Sequence, residues 1–131
     1  MSVDAEEQAR ADFYGLLARL FYASPDAALL QGLAAAGPTA PEAVREEFES
    51  VFVGTGKAEV TPYTSAYTVK SAVDNPLVDI RAFMARHGIA RRAEAFEPED
   101  HVAALCEVMR FLIFESRASL AEQRGFFEGF L

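Results

Sequence analysis

Four ionisable side chains, Glu97, Glu99, Asp100 and His101, fall within five residues and are interrupted only by Pro98. Carboxylates beside an imidazole can act as general acid and base. Glu97 and His101 also have the i, i+4 spacing with which a helix can grip a metal. A metal site needs more ligands than this chain supplies. The Glu-x-x-His pattern of di-iron bundles would require glutamate at position 98, which is proline, and the only other histidine is His87. Pro98 suits a first helical position, with Glu99 and Asp100 in a first turn where carboxylates complement the helix dipole. Capping explains Glu99 well and Pro98 and Asp100 in part, but hardly His101.

Other candidate chemistry is thinner. Gly54, Thr55, Gly56 and Lys57 invite comparison with a phosphate-binding loop, but that motif needs four residues between its glycines and Ser or Thr after the lysine. Ala58 follows here, so a helix stop is the better reading. Nucleotide binding or catalysis through the Gly54–Lys57 loop or the Glu97–His101 cluster stays as the alternative function. Ser65 has no Gly-x-Ser-x-Gly elbow around it and reads as a structural hydroxyl. Tyr63 and Tyr67 are four apart above Pro62, which on a helix gives either a core pair or an aromatic groove for a peptide. The single Cys106, between Leu105 and Met109, reads as a small buried hydrophobe.

The elements that must position these residues are helical throughout. Asp4 with Glu7 caps a first helix with the stripe Phe13, Leu16, Leu17, Leu20, Phe21. Ser24 and Pro25 stop it and start a short helix to about Ala36, and Thr39 with Glu42 caps a third that carries Val44, Phe48, Val51 and Phe52. Helical order resumes near Pro62. Asp74, Asn75 and Pro76 start a helix with Leu77, Ile80, Phe83 and Met84 inward and Gly88 as its stop. A long helix then runs from Pro98 to about Ala118 with Val102, Leu105, Met109, Leu112 and Ile113 on one face. Ser119 with Glu122 caps a last helix bearing Phe126, Phe127, Phe130 and Leu131.

The expected architecture is all-α, one domain over residues 1–131 with six to seven helices, and 51% hydrophobic residues with 11 phenylalanines suffice for its core. Net charge is −8 without a basic cluster, which argues against nucleic acid. No run approaches the ~18 apolar residues of a membrane span, and residues 1–10 lack the apolar core of a secretory signal. The chain reads as cytoplasmic.

Two motifs stand in sequence: Phe52-Val53-Gly54-Thr55-Gly56 leading to Pro62-Tyr63-Thr64-Ser65-Ala66-Tyr67, then Glu97-Pro98-Glu99-Asp100-His101 opening an apolar helix. In order and spacing they resemble the redox-enzyme maturation chaperones of the TorD, DmsD and NarJ type, from the Tyr14 to Phe21 helix onward. The resemblance implies an all-helical cytoplasmic chaperone with neither catalysis nor a cofactor of its own. Its implied partner is the twin-arginine signal peptide, or the unfinished body, of a molybdoenzyme catalytic subunit of the formate dehydrogenase or dimethyl sulfoxide/trimethylamine N-oxide reductase type. It implies a signal-peptide site at Pro62, Tyr63, Ser65, Tyr67, Glu97, Pro98, Asp100 and His101. Guanine nucleotides have been linked to some relatives.

The chain departs from the family in a short Leu33 to Val44 connection and in stopping where relatives continue with further helices. With Phe126, Phe127, Phe130 and Leu131 crowded into the last six residues, this end must pack back on the chain, be covered by a partner chain, or mark helices that a longer relative supplies. It is what a truncated or domain-exchanged member would show, and self-association is expected. Light scattering is expected to show a homodimer at high concentration; a clean monomer would overturn this expectation.

Overall fold

The computed structural model describes residues 4–34, 41–53, 59–68, 76–90 and 99–131. Among them are seven α-helices and no strand: α1 (Ala5–Tyr22), α2 (Ala27–Ala34), α3 (Pro41–Phe48), α4 (Ser65–Thr68), α5 (Pro76–Arg86), α6 (Val102–Phe114) and α7 (Leu120–Phe130). A π-helical turn, Glu49–Val53, extends α3. The all-α expectation holds.

Several helix ends follow from local chemistry. The Asp4 carboxylate accepts from the amides of Glu6 and Glu7 at 2.7 and 3.0 Å, while the Glu7 side chain turns to Arg10 instead of closing a reciprocal box. Asp26, not singled out in the sequence, accepts from the Leu29 amide at 2.8 Å at the start of α2. Gly88 ends α5 with φ 71°, and the bonds from Gly88 N to Ala85 O and Ile89 N to Met84 O form a Schellman closure. Ser119 and Glu122 form the expected reciprocal capping box on α7. The bonds donated by the Ser119 amide and then its hydroxyl hold the Glu122 carboxyl below its usual range, so this cap's contribution is present above the ordinary carboxylate range and fades as pH falls through the lowered value. Thr39, Asp74 and Asn75, expected to cap α3 and α5, lie outside the described residues.

α6 is the central element. Leu105, Met109, Leu112 and Ile113 are buried as the period demands, and Ala103, Cys106 and Val108 are buried as well, so the helix is enclosed on most of its circumference. α5 contributes Ile80, Phe83 and Met84 to the same core, and α7 contributes Phe126. The Phe126 ring lies 4.8 Å from that of Phe83 and 5.2 Å from that of Phe130. Phe127 and Leu131 remain exposed.

Two expectations change. α1 meets α6 through small residues: Ala11 and Ala18 are buried, whereas Phe13 is 58% exposed and Leu16, Leu17, Leu20 and Phe21 are half-buried. A Cβ at Gly15 would lie 3.1 Å from Arg110 Cδ, so any side chain there would require Arg110 to shift. α6 itself begins at Val102 and ends at Phe114, inside the expected Pro98 to Ala118. Its C-terminus is closed by Ser116 N to Phe111 O and Ala118 N to Leu112 O bonds around Arg117, which has φ 51°.

Two substitutions test this arrangement by urea denaturation. Phe126→Ala is expected to cost about 3–5 kcal/mol through cavity formation. Arg117→Gly is expected to add about 0.5–1 kcal/mol, because relief of the left-handed backbone outweighs the entropy that glycine gives the unfolded chain.

Candidate functional site

The two sequence motifs meet in space. Tyr63 and His101 form an isolated antiparallel bridge, made by Thr64 N donating to Asp100 O at 3.0 Å and Val102 N donating to Pro62 O at 2.9 Å. This is the widely spaced kind of pair, in which opposed side chains approach closely. The Tyr63 and His101 rings accordingly sit edge to face with centroids 4.9 Å apart.

Three consecutive side chains then serve three different helices. Glu99 Oε2 accepts from Nε and Nη2 of Arg81 on α5, at 3.1 and 3.0 Å. Asp100 Oδ2 accepts from the amide of Ser65, the first residue of α4, at 3.1 Å. His101 is the N-cap of α6, and its Nδ1 accepts from the Ala103 amide at 3.0 Å. A ring nitrogen that accepts is unprotonated, so this cap belongs to the neutral imidazole with its proton on Nε2. The expectation that Glu99 and Asp100 occupy the first helical turn is therefore corrected: both precede the helix and are used for tertiary contacts. Asp100 is 1% exposed and His101 5%, which leaves little of either for a guest molecule.

Beside the bridge lies a cavity of about 370 Å³, lined mainly by Phe21, Val60, Pro62, Tyr63, Tyr67 and Phe130. Its walls come from distant parts of the chain: α1, the segment after the π-turn, the bridge, α4 and the end of α7. The Thr64 hydroxyl donates to Phe130 O at 2.6 Å and ties the last of these walls to the bridge. Tyr67 is 68% exposed and Tyr63 half-buried. Tyr63 precedes α4, so the pair does not share a helix face as the spacing suggested, yet both rings line one cavity.

Of the eight residues expected at a binding site, the structure brings together Pro62, Tyr63, Ser65, Tyr67, Asp100 and His101, while Glu97 and Pro98 lie outside the described residues. The Gly54–Lys57 loop also lies outside them. Arg81, Thr64 and the end of α7 were not assigned to the site from the sequence, which read the α7 end as a surface in need of cover, because their roles here depend on partners 18 to 66 positions away. Burial pushes the Cys106 thiol up to about 11, against the ionised form a nucleophile would need. Among the described residues no three His, Cys, Asp or Glu side chains converge as a metal site would require. No helix among them is long and apolar enough to cross a membrane.

Comparison with known proteins bears on this arrangement. The family model of the nitrate reductase delta subunit matches residues 6–131. The chaperone protein TorD of Photobacterium profundum is 35% identical over 80 residues, which are 60% of this chain and 37% of that protein. A DmsD of Haemophilus influenzae, named a Tat proofreading chaperone, is 28% identical over 71 residues, 53% of this chain and 35% of its own. The matched segment thus spans less than two fifths of either relative. A crystal structure from Archaeoglobus fulgidus, described as a redox enzyme maturation protein, shares the fold with a TM-score of 0.62 and 19% identity, over 99% of this chain and 82% of that one. The chain belongs to the nitrate reductase delta subunit family, the TorD, DmsD and NarJ group that its two motifs resemble.

Proposed function

We propose that this protein is a cytoplasmic chaperone without catalytic activity, acting as one helical domain over residues 1–131. It binds the twin-arginine signal peptide, or the apo form, of a molybdoenzyme catalytic subunit, supports cofactor insertion and delays export. The observation that carries this reading is the apolar cavity beside the bridged motifs, in a chain whose relatives are named chaperones. A signal peptide's apolar run fits such a groove by chemistry. Each leucine-sized side chain that it buries contributes about 1.5–3 kcal/mol before ordering costs are subtracted. Pro62, Tyr63 and Tyr67 then act at the groove surface, while Ser65, Asp100 and His101 hold its wall in shape.

Isothermal titration with a synthetic Arg-Arg signal peptide from a molybdoenzyme subunit tests the reading, and absence of binding would count against it. Val60→Asp places a carboxylate in the groove at a residue that is 41% exposed. It is expected to leave stability within about 0.5 kcal/mol and to weaken binding at least about tenfold. Asp100→Ala is expected to lose about 1–3 kcal/mol of stability by stranding the Ser65 amide, with affinity falling as the wall loosens. Wild-type affinity in Val60→Asp would remove the groove from consideration.

A further inference from the structure

A peptide that carries paired arginines ahead of an apolar run is served by an accessible anion at one end of the groove, and the described part of the acidic motif, Glu99 to His101, does not offer one. Asp100 is 1% exposed with Oδ2 engaged by the Ser65 amide. Glu99 is 8% exposed with Oε2 engaged by Arg81, and the His101 ring becomes cationic if protonated, which would repel a guanidinium.

Among the described residues, the acidic side chain that lines the cavity is Glu128, in the last turn of α7. It is exposed and makes no ion pair among the described residues. Gly129 and Phe130 line the same cavity, so the negative end of the α7 dipole lies beside this carboxylate. Tyr67 also lines it and, at 68% exposure, presents a ring face on which a planar cation can stack. A carboxylate with an aromatic face favours guanidinium over ammonium, because only the former is planar and can bond in a fork.

We propose that Glu128, with the ring of Tyr67, receives the guanidinium of a bound signal peptide, which lies with its arginines at the C-terminal turn of α7 and its apolar run over Phe21, Phe52 and Val60. This rests on the peptide-binding reading above and adds to it a recognition residue and a direction. The net charge of −8 assists the approach of such a peptide, but Glu128 localises its basic end.

The test is isothermal titration of the full chain with three synthetic peptides that share one apolar run and carry Arg-Arg, Lys-Lys or Gln-Gln before it. Wild type is expected to bind Arg-Arg about tenfold more tightly than Gln-Gln. Glu128→Gln is expected to reduce that ratio to below about twofold without changing Gln-Gln affinity, and Glu128→Lys to invert it. Tyr67→Leu is expected to reduce the preference of Arg-Arg over Lys-Lys, leaving only the part due to the forked bond with Glu128. Glu107→Gln, the same charge change on an exposed position of α6, is expected to keep the wild-type ratios. A wild-type ratio in Glu128→Gln would overturn this proposal while leaving the groove reading in place; failure of wild type to bind any of the three peptides would overturn both.

Discussion

The turn Glu99-Asp100-His101 is the constraint on which the rest of the site depends. Three polar side chains in a row are buried, and each bonds to a different helix: Glu99 to α5, Asp100 to α4, His101 to its own α6. Burial without partners would cost each of them free energy, so the arrangement is stable only when all three helices are in register. The turn therefore adds polar ties between α6 and both α5, which already shares its apolar core, and α4, which does not contribute to that core. It also fixes the backbone that pairs with Pro62 and Thr64, and through the Thr64 hydroxyl it reaches the end of α7.

The groove follows from an imbalance in packing. α1 lies close against α6 because Ala11, Gly15 and Ala18 allow it, and that approach turns Phe21 away from the tight part of the interface. Phe21 instead meets Phe52 at 5.7 Å, on the wall of the cavity. On the other side Phe126 is fully enclosed, while Phe130, one turn on, is half-buried and faces the same space. Large apolar residues thus remain at the surface where small ones have brought the helices together elsewhere.

Much of this was legible in the sequence, for reasons specific to each element. The Ser119–Glu122 box, the Asp4 cap and the Gly88 stop are decided by residues within a few positions of one another, so local pattern sufficed. The same local grammar misplaced the start of α6. A proline followed by acids is a good helix opening, but here the acids bond to Arg81 and to the Ser65 amide, 18 and 35 positions away, and the helix starts only at Val102. The α1 stripe misled for a related reason: periodicity identified the apolar residues, while the interface needed the smallest ones.

The pairing of the two motifs, Pro62–Tyr67 and Glu97–His101, could be suspected from their joint resemblance to one family but not from either alone. Once paired, they divide the work of the site. Side chains already committed to internal hydrogen bonds, as Asp100 and His101 are, have few lone pairs and donors left to distinguish one guest from another. Discrimination must then come from side chains that are exposed on the groove and free of such duties, among which are Val60, Tyr67 and Glu128. On the proposed reading, a motif of this kind builds the same frame around different guests, because the residues that hold the frame are not those assigned to meet the peptide.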